Sequence, residues 1–217
     1  MSHWSTKTEP QARPKLIIDC QQINAKHLYK ILIGSILPRP IAWVSTRSPE
    51  GINNLAPFSF FNVFSVKPPI LGFAPGFKRP DDAGVRPPKD TLRNVLDTGE
   101  FVVNLVSYPL ANQMNQSSGD YPEDVSEFDA VGLTPAPCRI VQAPRVAECL
   151  ISMECKLYKR VELGEGNLIL GEILFIHMDE NVLRHDGEID LEVLQPIGRL
   201  GGDGYSTVKD RFDIARP

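Results

Sequence analysis

Two side chains that can bind a phosphate, those of Lys89 and Thr91, stand on either side of Asp90. These residues begin a predicted helix, with Asp90 or Thr91 as its N-cap and Leu92 on its apolar face. The first turn of a helix has unpaired N–H groups and a partial positive charge. A lysine ammonium and a threonine hydroxyl beside that turn predict a phosphate site. The alternative is ordinary capping by Asp90 beside a solvent-exposed lysine, and the local pattern alone favours that alternative.

Polar and aromatic side chains alternate in a second region. Ser45 and Thr46 end a predicted strand, and residues 53–62 (NNLAPFSFFN) follow it. Small polar groups beside phenylalanine rings can hold a flat polar ring, with backbone N–H groups at its edge. The alternative is a buried aromatic hairpin in which Ser and Asn form turns. Taken alone, these residues favour the hairpin.

Other reactive side chains do not form a recognisable centre. The sequence has no Ser/His/Asp order, no paired-histidine metal spacing and no G-x-G-x-x-G after a strand. We expect His177 to be hydrogen-bonded near a strand end, and a place near a redox site is the alternative. The four cysteines lack C-x-x-C spacing, which predicts free thiols. Cys149 and Cys155 are predicted to pack in the core, on one face of one strand.

The elements that position these groups are short. Nineteen prolines exclude a long-helix protein, and 42% apolar residues are enough for a core. Alternating residues at 147–163 predict a strand with one solvent-exposed face, followed by a turn at 164–167 and a return strand at 168–178. Residues 76–88 form a loop long enough to suggest a function, such as a lid. Further strands are predicted at 41–46, 54–65, 70–74 and 101–106. Short helices are predicted from 90 to before Gly99 and at 110–116, and residues 23–32 form either a short helix or a turn that leads into the barrel. These elements suggest an antiparallel barrel with helical insertions.

Charge and hydropathy limit the partners. A net charge of −4 gives no support to nucleic-acid binding. No apolar run approaches the ~18 residues of a membrane span. Residues 1–14 are polar and lack the apolar stretch of a signal peptide. We therefore expect a soluble, cytoplasmic protein, with residues 1–19 as an N-terminal extension and residues 20–217 as one domain.

Several motifs occur in an order that resembles a known family. They are PRPIAWVST, the turn at Gly51, NNLAPFSFFN, SVKPP, KDT at 89–91, FVVNLV, GEI at 171–173 and RLGG…Y at 199–205. Their order and spacing resemble the flavin reductase-like, FMN-binding split-barrel proteins, most closely the flavoredoxin-type branch. The resemblance covers roughly residues 20–217.

The resemblance implies a mainly β fold: a six-stranded antiparallel Greek-key split barrel with a few short helices. It also implies a homodimer with FMN near the subunit interface, and neither a metal nor a catalytic side chain. Ser45, Thr46 and Asn54 would line the ribityl and phosphate region. Lys89 and Thr91 would bind the phosphate, with Asp90 capping the helix. The segment along the flavin ring would comprise Ala56, Pro57, Ser59, Phe60, Phe61 and Asn62.

Three functions remain open at this point. The first is an NAD(P)H:FMN oxidoreductase, using NADH or NADPH and supplying reduced flavin to a monooxygenase. The second is an electron-transfer flavoprotein that is reduced by a redox protein partner. The third is a barrel that binds another ligand, such as haem, or that has lost its cofactor. Many flavin reductases carry G-D-H before the GE(V/I) strand, whereas residues 164–167 here are Gly-Glu-Gly-Asn. The missing histidine weakens the case for direct NAD(P)H oxidation.

Overall fold

The computed structural model describes residues 14–78, 84, 86–164 and 166–215. Its helices are α1 (Ala25–Ser35), α2 (Asp90–Thr98), α3 (Ala111–Gln116), α4 (Glu127–Val131) and α5 (Leu191–Leu194), with 3-10 turns at Tyr108–Leu110 and Glu180–Val182. Its strands are β1 (Arg39–Pro40), β2 (Ala42–Arg47), β3 (Asn53–Phe58), β4 (Phe61–Val66), β5 (Pro69–Phe73), β6 (Glu100–Leu105), β7 (Pro135–Ala136), β8 (Arg145–Val146), β9 (Ile151–Leu163), β10 (Gly166–Met178), β11 (Ile197–Arg199) and β12 (Tyr205–Thr207).

The main sheet is an antiparallel barrel with one open seam. In the described part of the chain it has seven strands, in the order β3-β2-β6-β9-β10-β5-β4. Strands β3 and β4 lie at opposite edges of the sheet, yet only Ser59 and Phe60 separate them in the chain. Two residues span less than about 11 Å, so the sheet must curl until its edges meet. The expected split barrel is confirmed, with seven strands instead of six because the predicted run 54–65 divides into β3 and β4.

The long hairpin of β9 and β10 differs from its prediction at both ends. Strand β10 begins at Gly166 instead of residue 168, so the predicted turn at 164–167 is too long. Strand β9 begins at Ile151 instead of residue 147. Two residues of its predicted solvent face, Ser152 and Glu154, are fully buried. The cause is the segment 139–141, whose three backbone N–H groups donate to the Glu154 carboxylate. A covering loop of this kind cannot be recognised from the alternation of one strand.

The core has two large clusters. One joins Phe73 and Phe101 of the barrel to Leu92 of α2 and includes Cys155. The other surrounds Trp43 and includes Cys149. The predictions of free thiols and of core packing for both cysteines are confirmed. The prediction that both share one strand face is wrong, because Cys149 precedes β9.

The helices show two differences from the sequence predictions. Lys89 is the N-cap of α2, in place of Asp90 or Thr91, and Gly99 ends the helix at φ 72°. The predicted helix 110–116 begins with the 3-10 turn Tyr108–Leu110 before α3. Residues 1–13 of the predicted N-terminal extension lie outside the described residues. No helix in the described ranges combines the length and hydrophobicity needed to cross a membrane.

Candidate functional site

A cleft of about 520 Å³ opens between β3, the start of α2 and the segment that follows α3. Its lining is rich in polar groups, which suits a polar ligand. The described lining residues are Asn54, Ala56, Pro57, Phe77, Lys78, Lys89, Asp90, Thr91, Ser117, Ser118, Gly119, Asp120, Tyr121 and Glu127.

The start of α2 presents hydrogen-bond donors to this cleft. The first bond of the helix runs from the Arg93 N–H to the Lys89 carbonyl, so the N–H groups of residues 90–92 have no partner inside the helix. The Asn54 amide donates to the Thr91 hydroxyl oxygen at 3.0 Å, which leaves the Thr91 proton free to donate. The Lys89 side chain is exposed, and its ammonium lies 5.9 Å from the Phe58 ring centre. Among the described residues, no carboxylate forms an ion pair with Lys89.

The negative charge of Asp90 is compensated by two cations. Its carboxylate pairs with Lys78 at 3.0 Å and with Arg93 at 2.7 Å. Glu123 pairs with the same two cations at 3.2 and 2.9 Å. Burial opposes the charge of Lys78, but its hydrogen bonds to Asp90 and Glu123 raise its pKa. The carboxylate of Asp90 is therefore held by Lys78 and Arg93, which lessens its repulsion of an anion at the helix start.

Glu127 is a cleft residue that the sequence does not reveal. It lies in the first turn of α4, is buried, and accepts a hydrogen bond from the Leu55 N–H at 2.9 Å. Burial raises the pKa of this carboxyl to about 7, although the Leu55 hydrogen bond acts in the opposite direction. Leu55 and Glu127 are 72 positions apart, so no local pattern brings them together.

Ser45 and Thr46 are fully buried. The Ser45 hydroxyl donates to the Pro144 carbonyl at 2.5 Å and accepts from Asn104 at 3.1 Å. The Thr46 hydroxyl accepts from Asn94 at 3.0 Å. Their side chains tie the barrel together and are not among the residues that line the cleft.

The segment after β3 leaves the cleft. Ser59 lines a smaller cavity of about 150 Å³, here called the alcove, together with Asn115, Arg199 and Tyr205. Phe60 and Asn62 are exposed, and Phe61 packs against the core cluster around Phe73. Six of the twelve expected site residues therefore line the cleft: Asn54, Ala56, Pro57, Lys89, Asp90 and Thr91.

His177 lies near the end of β10 and is hydrogen-bonded to Glu154 at 2.6 Å, which confirms the expectation of a hydrogen-bonded histidine near a strand end. Burial alone would raise the pKa of Glu154, but hydrogen bonds from Arg139, His177 and residues 140–141 lower it to about 2. His177 is not among the lining residues of the cleft or the alcove.

The base of the 76–88 loop contributes to the cleft wall through Phe77 and Lys78. Phe77 bridges to Pro88, and the Lys78 N–H donates to the Pro87 carbonyl at 2.8 Å. Residues 79–83 and 85, at the tip of this predicted lid, lie outside the described residues.

Comparisons with known proteins agree with this architecture. The family model described as "Flavin reductase like domain" matches residues 33–190. An uncharacterized protein from Aquifex aeolicus is 46% identical over 85% of this chain and 92% of its own length. The crystal structure of nitrilotriacetate monooxygenase component B from Bacillus cereus superimposes with a TM-score of 0.87 at 32% identity, covering 94% of this chain and 100% of the other. The crystal structure of 2-nitrobenzoate 2-nitroreductase from Pseudomonas fluorescens superimposes with a TM-score of 0.81 at 32% identity, covering 93% of this chain and 96% of the other.

Flavoredoxins from Desulfovibrio vulgaris and Methanosarcina acetivorans share the fold. The match of the family model extends over most of the barrel, from before β1 to α5. It includes β3, α2 and Glu127, and thus the main walls of the cleft. The chain belongs to the flavin reductase-like family.

Proposed function

We propose that the cleft binds FMN, with the phosphate at the start of α2. The observation that carries this proposal is the donor set formed by Lys89, Thr91 and the free N–H groups of the helix. These donors suit a phosphate, which accepts several hydrogen bonds and is stabilised at helix N-termini. The pairing of Asp90 with Lys78 and Arg93 lowers the main electrostatic obstacle to an anion here.

The ring of FMN would lie along β3. Asn54 marks the phosphate end through its bond to Thr91, and Ala56 and Pro57 follow along the same wall of the cleft. Ser45 and Thr46 would act from behind, because Thr46 holds Asn94 of α2 and both residues brace β2 against β3. FMN, when bound, supplies a hydride acceptor at its N5 atom. The chain orients the phosphate and ring, and no side chain is required as a general acid or base.

We also propose that the chain is a homodimer. Helix α1 has no buried residue, although it contains exposed Leu32. Helices in proteins owe most of their stability to the packing of an apolar face, so α1 is expected to pack against a partner. Strand β4 also exposes Val63 and Phe64 at 52% and 59%. A second copy covering these surfaces would also enclose Phe60, Phe61 and Asn62, and would thus let this segment approach the flavin.

The proposed activity is NAD(P)H:flavin oxidoreduction, with transfer of reduced flavin to a monooxygenase partner. Support comes from a structural neighbour whose name is monooxygenase component B, at 32% identity. The alternative is an electron carrier reduced by a protein partner, and the absence of histidine at 164–167 supports it.

The deciding experiment is the absorbance spectrum of the FMN-loaded protein before and after NADH or NADPH is added without oxygen. We expect bleaching of the flavin band within seconds. If the band persists with both nucleotides but bleaches with a reduced redox protein, the electron carrier is correct. If the protein takes up no flavin from a micromolar solution, the proposed function is wrong, and a haem titration then tests the remaining class of ligand.

A further inference from the structure

The alcove adjoins the proposed flavin cleft, because Pro57 and Ser118 line both cavities. It lies beyond the ring end of the cleft, since β3 runs from Asn54 at the phosphate end towards Ser59 in the alcove. Five residues of extended chain span about 16 Å. A molecule in the alcove would therefore lie beside the flavin ring and far from the phosphate.

Two arginines give the alcove a positive potential. Arg199 lines it, and Arg39 is the cross-strand partner of Arg199 between β1 and β11. Arg39 is only 6% exposed and donates to the Ser59 hydroxyl at 3.3 Å and to three backbone carbonyls. Within the described part of the chain, no carboxylate pairs with either guanidinium, and no acidic side chain lines the alcove. Among the described residues, therefore, neither positive charge has an anionic partner.

Three residues of the alcove keep unused donors, whereas the Ser118 hydroxyl donates to the Asn115 carbonyl at 2.6 Å and keeps an acceptor oxygen. The Arg199 guanidinium packs over the Tyr205 ring at 4.5 Å and uses Nη2 for the Gly202 carbonyl, so Nε and Nη1 remain. The Ser59 oxygen accepts from Arg39, which leaves its proton to donate. The Asn115 side-chain oxygen accepts from the Tyr205 hydroxyl at 3.0 Å, which leaves its NH₂ group. A ligand that satisfies this set must offer acceptors, and a carboxylate fits the fork of a guanidinium.

The remaining wall and the size of the alcove limit the rest of the ligand. Ile41, Pro57 and Met114 supply apolar surface. A cavity of about 150 Å³ is large enough for one benzene-sized ring. An apolar wall and a guanidinium in one cavity suit a molecule with one hydrocarbon ring and one acidic group.

We propose that the alcove binds a single-ring organic acid beside the flavin, with its carboxylate on Arg199. This proposal rests on the proposed function only for the position of the flavin, because the donors and the apolar wall belong to the chain itself. It assigns the substrate class of the site as small ring carboxylates.

The test is calorimetric titration with benzoate and with its uncharged analogue benzamide, using flavin-free and FMN-loaded protein. We expect benzoate to bind at least tenfold more tightly than benzamide in both forms. Arg199→Gln should weaken benzoate at least tenfold and leave benzamide unchanged. The matched control is Arg184→Gln, which removes an exposed guanidinium paired with Asp186 at 3.0 Å and should change neither affinity.

Equal binding of benzoate and benzamide, or an unchanged benzoate affinity in Arg199→Gln, would overturn the proposal. If benzoate binds only the flavin-free protein, the alcove is occupied by the flavin ring itself, and the proposal is overturned as well. If Arg199→Gln does not fold, Arg199→Lys keeps the charge without the fork, and its benzoate affinity must fall below that of the unmodified protein. If FMN does not bind but benzoate is still preferred over benzamide and depends on Arg199, the proposed function fails and the acid site stands.

Discussion

The Asn54 side-chain amide donates a hydrogen bond of 3.0 Å to the Thr91 hydroxyl, and both residues are buried. This bond joins strand β3 to the first turn of α2, the two elements that meet in the cleft. It also orients Thr91, because the hydroxyl oxygen is occupied while its proton remains available to a ligand. The phosphate end of the cleft is thus set by a contact between residues 37 positions apart.

If the Thr91 hydroxyl donates to the phosphate, two substitutions of Thr91 should differ in their affinity for FMN. Thr91→Val removes the donor and should weaken FMN roughly tenfold, which corresponds to about 1.4 kcal/mol for one hydrogen bond to a charged group. Thr91→Ser keeps the hydroxyl and should bind FMN nearly as the unmodified protein does. Quenching of FMN fluorescence on titration measures both affinities. Equal affinities for the valine and serine variants would remove Thr91 from the phosphate site.

Because the Glu127 carboxyl is buried, we predict that its contribution to the free energy of unfolding falls as pH rises. Its pKa is raised to about 7 in the folded chain, against 4.5 ordinarily, so the folded protein holds this proton more tightly than the unfolded one. The contribution is complete below pH 4.5 and is lost as pH rises to 7. Its full size is roughly 3 kcal/mol. Urea unfolding at pH 5 and pH 8 should show this loss, and Glu127→Gln should reduce the difference. A pH dependence that is the same in both proteins would show that Glu127 is not its source.

For Glu154 we predict the opposite pH dependence, with a contribution to stability that is lost at low pH. Its pKa is lowered to about 2, so its contribution is present above pH 4.5 and is lost as pH falls towards 2. Glu154→Gln replaces one acceptor oxygen by an NH₂ group facing the N–H groups of residues 139–141, which should cost roughly 2–3 kcal/mol of unfolding free energy. Glu148→Gln is the control, because Glu148 accepts only the exposed Thr134 N–H at 3.0 Å. We expect less than about 0.5 kcal/mol there. Similar losses in the two variants at pH 7 would contradict the role of Glu154 in holding the loop.

Because β4 exposes apolar side chains, we predict a dimer through this strand, and a charge introduced on the strand should disrupt it. Sedimentation equilibrium should give twice the chain mass for the unmodified protein. Val63→Glu should give the chain mass, because a buried unpaired carboxylate at an interface is strongly unfavourable. Leu163→Glu places the same charge at a residue 57% exposed at the end of β9 and should leave the dimer intact. A monomeric unmodified protein, or a Val63→Glu protein that still dimerises, would contradict this interface.

Local patterns predicted most of the barrel. The period of two along β9 and the apolar run of β6 each depend on neighbouring residues, and the structure contains both. The predicted turn at 164–167 is too long, because β10 already begins at Gly166. Helix α2 can also be predicted locally, because the residues at its start and Gly99 at its end are neighbours of the helix in the sequence. The break of the 54–65 run at Ser59 and Phe60 was missed, because β4 leaves β3 in order to pair with β5.

Contacts between distant segments limited the prediction of the site. Lys89 and Thr91 were identified because they adjoin a helix start, which is a local signal. Local patterns do not reveal Glu127, because its position in the cleft depends on a hydrogen bond to the distant Leu55. They place Glu154 in solvent, because the alternation within β9 carries no information about the loop 139–141 that covers it. Ser45 and Thr46 were expected at the ligand, whereas their hydroxyls bond to Pro144 and Asn94 inside the barrel.

The most direct test of the proposed phosphate site compares FMN with riboflavin, which lacks the phosphate. The measurement is the Kd of each flavin for the unmodified protein and for Lys89→Ala, by fluorescence titration at constant ionic strength. We predict that the unmodified protein prefers FMN, and that Lys89→Ala weakens FMN at least tenfold while changing riboflavin less than twofold. Equal weakening of the two flavins, or no preference for FMN in the unmodified protein, would contradict a phosphate site at the start of α2.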